Sequence, residues 1–133
     1  MPPLEGLWWA EDMSAYTAGR KDDGLWTMVI MQPEWISPEM FQASVTKAAN
    51  KLGDVPETLR LETFDEGLSV QILHIGPNAD EGPVIARIHD EFIPQNQLIE
   101  NGHHHEIYLN GSRRTAPEKL KTVLRQPVKR LDP

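Results

Sequence analysis

Glu106 and Tyr108 stand two residues apart in His104-His105-Glu106-Ile107-Tyr108-Leu109, a spacing that places both side chains on one face of an extended strand. Both would then project from the same side of a sheet, into solvent or into a pocket formed over it. A second group could supply the walls of a ligand site: Trp8, Trp9, Trp26 and Met28. Binding pockets are mostly apolar and aromatic with a few placed polar groups. A carboxylate against indole either resists ionisation through desolvation or pairs with a cationic ligand. The competing reading is a solvated glutamate and core tryptophans, since most strand glutamates are exposed and most tryptophans pack inside.

Other chemistries find less support. His103, His104 and His105 are consecutive, so on a strand only the first and third share a face, and without cysteine a metal ligand set is incomplete. No metal and no cofactor is expected. Neither GxSxG nor HExxH occurs. Gly76-Pro77-Asn78 ahead of a helix could offer backbone N–H groups to an anion, but it resembles an ordinary strand-to-helix turn.

Several elements must position these residues. Leu7–Ala10, introduced by Gly6, and Leu25–Met31 read as strands of a hairpin with a long polar connection. Trp8 and Trp9 then face opposite sides, while Trp26, Met28 and Ile30 share one. Ser37-Pro38-Glu39 opens a helix whose apolar stripe is Phe41, Val45, Ala48, Ala49 and Leu52, with Gly53 ending it. Leu59–Phe64 alternates with period two, and Asp65-Glu66-Gly67 turns it into a second strand, Leu68–Ile75. Asp80 and Glu81 precede a helix marked by Val84, Ile85, Ile88 and Phe92, expected to end by Pro94. His104–Leu109 and Leu120–Val128 complete the strands, with Pro127 suited to a sheet edge. In the first of these, His104, Glu106, Tyr108 and Asn110 point one way, and His105, Ile107 and Leu109 the other. If helices cover the aliphatic side, Glu106 and Tyr108 project from the uncovered one. The order predicts an α+β domain, a mainly antiparallel sheet with helices on one face.

The 133 residues fit one domain, with 39% apolar residues and a net charge of −7. That charge repels phosphate backbones and anionic lipid, so no nucleic-acid partner is expected. No stretch approaches the roughly 20 apolar residues of a membrane helix, and the N-terminus lacks the pattern of a signal peptide. With no cysteine, a cytoplasmic protein is expected.

Three stretches go beyond generic pattern: Pro2-Pro3-Leu4-Glu5-Gly6-Leu7-Trp8-Trp9; Leu61-Glu62 through Glu66-Gly67-Leu68 to His74-Ile75-Gly76-Pro77; and His104-His105-Glu106-Ile107-Tyr108-Leu109 with Arg114 to Val123. Together they resemble the GyrI-like small-molecule-binding family, in its short stand-alone form. The resemblance implies two strand–helix–strand–strand repeats with a ligand cleft between them. Here residues 68–129 would form the second repeat, and residues 6–32 only the closing hairpin of the first. The resemblance further implies that Glu106 faces the cleft and that small hydrophobic or cationic ligands are the partners. Some stand-alone relatives open the cyclopropane ring of DNA-alkylating compounds. Carried over, Glu106 orients or deprotonates the attacking water, Tyr108 hydrogen-bonds the ligand carbonyl, and Trp8 or Trp9 stacks on its planar rings. Asn78 departs from the tyrosine that relatives place after Gly-Pro. The incomplete first repeat implies either a fragment or a tryptophan-rich hairpin covered by another chain; the second predicts a homodimer, with or without domain exchange. The alternative is a non-catalytic sensor or protein-binding module.

Overall fold

Alternating aromatic and aliphatic residues at the two ends of the chain and in its middle meet in one antiparallel sheet. The computed structural model describes residues 2–9 and 25–132, in two compact units: Met1–Ile30 with Glu66–Pro133, and Met31–Asp65. Among its described residues the first unit holds six strands: β1 (Leu4–Trp9), β2 (Leu25–Ile30), β3 (Ser69–Ile75), β4 (Leu98–Glu100), β5 (His104–Tyr108) and β6 (Lys121–Arg130). Their order is β2-β1-β5-β6-β3, with β4 also paired to β6, and every pairing is antiparallel. The fold is α+β, as the sequence predicts. β1 begins at Leu4, so Gly6 lies inside the strand rather than before it. Ala10 and the connection through Gly24, part of the expected hairpin loop, lie outside the described residues.

The core of this unit is small. Ile85, Ile88 and Ile93 pack with Leu124 and Val128 of β6, joined by the partly buried Val70, Val84 and Leu98. The three isoleucines come from one helical run, comprising α2 (Gly82–Arg87), a five-residue π turn (Ile88–Phe92) and α3 (Ile93–Gln95). The run passes Pro94, which the sequence reading took as its limit. In the widened turn the Ile93 N–H reaches the Ile88 carbonyl, which gives the proline ring room that a regular turn lacks.

Pro127 is not on an outer strand, since β6 has neighbours on both sides. β5 pairs with β6 from Thr122 to Arg125 and β4 from Val128 to Arg130, so Pro127 falls in the gap between them and its missing N–H breaks no ladder bond. The gap is closed by other groups. The Asn101 N–H donates to the Pro127 carbonyl at 2.8 Å, and Gln126 Nε2 donates to the carbonyls of Gly102 and Pro127 at 2.9 and 3.0 Å. Gly102, at φ 145°, is pressed so close that an added Cβ would lie 3.2 Å from the proline ring.

The second unit contains α1 (Pro38–Leu52), and its ends are those the sequence announces. Ser37 Oγ accepts from the Met40 N–H at 3.2 Å, and Gly53, at φ 89°, donates its N–H to Ala49. Phe41, Val45, Ala48 and Ala49 are half-buried and no residue of α1 is fully so. Leu59–Phe64 forms no strand, contrary to its alternation, and Asp65-Glu66-Gly67 is therefore no hairpin turn. Arg60 instead pairs locally with Glu62 at 2.8 Å. Alternation of charged and apolar residues suits a strand only where a neighbouring strand accepts its ladder.

Candidate functional site

β5 runs between β1 and β6, and residues directly opposite across an antiparallel ladder point to the same side. Glu106 is opposite Gly6 on β1 and Leu124 on β6; Tyr108 is opposite Leu4 and Thr122; Trp8 is opposite His104 and Trp26; Gly6 is also opposite Met28. One face therefore carries Trp8, Trp26, Met28, His104, Glu106 and Tyr108. Because Leu124 lies under the isoleucines of α2 and α3, this is also the helix-bearing face. The expectation that helices cover the side of Ile107 and Leu109 is overturned. Apolar-side-in fails here because Trp8, Tyr108, Glu106 and His104 Nε2 bond one another on this face.

The hydrogen bonds form a chain. Trp8 Nε1–H donates to Tyr108 Oη at 2.9 Å, the Tyr108 hydroxyl bonds Glu106, and His104 Nε2 lies 2.8 Å from Glu106 Oε2. His104 and Glu106 are 1% and 2% exposed. Burial holds the Tyr108 hydroxyl well above its ordinary acidity range, reinforced by the charge of Glu106, its hydrogen bond to Glu106, and the charge of Glu81; the Trp8 hydrogen bond works against these. Glu81, read from sequence only as a helix-start acid, is 1% exposed and belongs to this electrostatic surround.

Gly6 is the residue that makes the chain possible. An added Cβ there would come within 2.6 Å of Trp8 Nε1, 2.9 Å of the Met28 methyl and 3.1 Å of Tyr108 Oη. Trp8, Met28 and Tyr108 thus converge over its bare backbone. As punctuation before a strand Gly6 would have no such role; inside β1 a glycine flanked by strand residues signals close approach.

Moving from β5 toward β2 the face opens: Trp26 is 61% exposed, and Leu4, Met28 and Ile30 are also exposed. The result is an apolar, aromatic strip ending at a buried carboxylate. Trp9 faces the other side, where its ring stacks on His103 with centroids 4.2 Å apart. His105 also lies there, with Nε2 2.7 Å from Glu5 and Nδ1 2.8 Å from Glu66, which in turn takes Arg125 at 3.0 Å. The three consecutive histidines are thus divided between faces. Among the described residues no group of three or more His, Asp or Glu is arranged to hold a metal ion. A shallow groove of about 460 Å³ near Leu68, Val70, Phe92, Leu98 and Arg130 contains no carboxylate or imidazole and offers no comparable chemistry.

The model of the GyrI-like small molecule binding domain matches residues 4–129. The chain belongs to this family. Among solved structures it is similar to an uncharacterized conserved protein from Listeria innocua, with 38% identity and a TM-score of 0.80 over 96% of this chain and 64% of that one. It is also similar to a hydrolase from Listeria innocua, with 35% identity and a TM-score of 0.76 over 96% of this chain and 62% of that one. The chain therefore spans less than two thirds of the length of these relatives. No curated protein matches it. Family membership makes this a small-molecule-binding domain, and no helix among its described residues is long and apolar enough to cross a membrane.

Proposed function

We propose that the strip formed by Trp8, Trp26 and Met28 binds planar, amphipathic or cationic small molecules, with Glu106 and Tyr108 as its polar end. The observation that carries this reading is the 2% exposed Glu106 carboxylate, joined through Tyr108 to an indole on a face that then opens into exposed aromatic and apolar side chains. Flat rings stack on such a surface, and a cation gains from the indole faces and the carboxylate together. Trp9 lies on the other side, so stacking falls to Trp8 and Trp26.

Within this reading the reaction is hydrolysis of a cyclopropane conjugated to a carbonyl, in keeping with the Listeria hydrolase among the similar structures. The water oxygen bonds to a ring carbon, the strained C–C bond breaks, and its electron pair passes to the carbonyl. Tyr108, turning its hydroxyl proton from Glu106, donates a hydrogen bond to that oxygen, Glu106 takes the water proton, and the proton is returned to the product. In the same proposal residues 6–32 act as the closing hairpin of one repeat and residues 68–129 as the other. A second copy covers the strip in a domain-exchanged homodimer, and the protein works in the cytoplasm.

Quenching of tryptophan fluorescence by ethidium tests binding. Glu106→Gln is expected to weaken it at least tenfold; unchanged affinity rejects Glu106 as the polar end. Turnover of an uncharged cyclopropane-containing alkylating compound is expected to vanish in Glu106→Ala while that compound, held by stacking rather than by the carboxylate charge, still binds. Normal turnover in that variant removes the general-base assignment.

A further inference from the structure

Two imidazole nitrogens on the helix-bearing face have no hydrogen-bond partner among the described residues: His104 Nδ1 and His89 Nε2. Each belongs to a ring whose other nitrogen is committed. His104 Nε2 pairs with Glu106, and His89 Nδ1 pairs with Glu100 of β4. The His104 side chain is 1% exposed and that of His89 11%, whereas Glu100 reaches solvent at 42%. The rings are tilted at 53° with centroids 6.5 Å apart, too far for a direct hydrogen bond and within the span of one bridging water.

We propose that Glu106 exchanges protons with solvent from behind, through His104, His89 and Glu100, while a bound ligand occupies the front. The relay rests on the reading of Glu106 as a proton-handling carboxylate. In the resting arrangement His104 donates Nε2–H to Glu106 and keeps a lone pair on Nδ1. An inbound proton joins Nδ1 as the Nε2 proton passes to Glu106 Oε2, so one proton enters, one is delivered, and the ring is left as its other tautomer. The outbound step is the reverse. His89 leads the path outward because its Nδ1 pairs with the solvent-reaching Glu100, whose carboxyl is held below its ordinary range by that hydrogen bond and by the charges of His89 and His104. The groups facing this path are Glu106 and Tyr108 on β5, Glu81 ahead of α2, His89 in the π turn and Glu100 on β4. A π turn at this point places His89 in the path, and such turns recur at functional sites.

The test is nitrogen-resolved NMR of the full chain. The His104 Nε2 proton, despite its burial, is expected to exchange with water at least tenfold faster in the wild type than in His89→Gln, which cannot carry the proton onward. His89→Asn serves if the first variant does not fold, as judged from its backbone amide spectrum. Equal exchange in the wild type and the folded variant overturns the relay. Ethidium binding is scored separately: affinity indifferent to Glu106→Gln, with exchange still dependent on His89, leaves the relay standing and removes the ligand reading.

Discussion

Tyr108 is the residue whose surroundings make the sharpest claim. Its hydroxyl ionises only above the ordinary tyrosine range of about 10, because burial and the charges of Glu106 and Glu81 oppose a phenolate. Its contribution to stability is present below about pH 10 and is lost as pH rises from there toward the folded-state value. Spectrophotometric titration is expected to show one of the two tyrosines ionising only as the protein unfolds, a step absent in Tyr108→Phe; ionisation of both with the fold intact contradicts it. Glu100 has the opposite sign. Its carboxyl is held below about 4.3 by His89, so the pair stabilises the protein above that pH and the benefit fades as pH falls through the lowered value. Glu100 is substantially exposed, so the loss is expected to be shallow in acid denaturation curves, and flatter still for Glu100→Gln.

Among the elements, β1 is the most sensitive to a small change. Gly6→Ala is expected to part Trp8 from Tyr108, costing about 1 kcal/mol for the bond alone, and to lower ethidium affinity. Denaturant unfolding and fluorescence titration read both effects, and an unchanged midpoint and affinity refute it. Leu124→Ala strikes the core where α2 meets β6, with an expected loss of about 2–5 kcal/mol. Much at this scale was legible. Ser37, Pro38 and Gly53 bounded α1 because capping is local chemistry. β4 was not, because three residues, Leu98–Glu100, carry no measurable alternation and exist by pairing with the end of β6. Leu59–Phe64 had the alternation and forms no strand. The parity of Glu106 and Tyr108 was readable, as were Trp26 and Met28. The side they occupy was not, since a Trp-Tyr-Glu-His chain lets polar residues lie toward the helices.

For the whole molecule, the distribution of apolar residues matters more than their number. Leu4, Trp26, Met28 and Ile30 line up at one end of the sheet and remain exposed, a surface that monomeric proteins rarely leave open. Light scattering is expected to give a dimer at micromolar concentration and a monomer in Trp26→Lys; a monomer throughout excludes the proposed covering copy. Among the described residues the five fully buried aliphatic side chains lie between Ile85 and Val128, and β1 and β2 contribute none of them. The amino-terminal ribbon is attached to β5 through its ladder and through bonds such as Trp8 to Tyr108 and Glu5 to His105. Such attachments can be surrendered to one molecule and remade on another without unpacking a single isoleucine, which makes this ribbon the natural limb to lend.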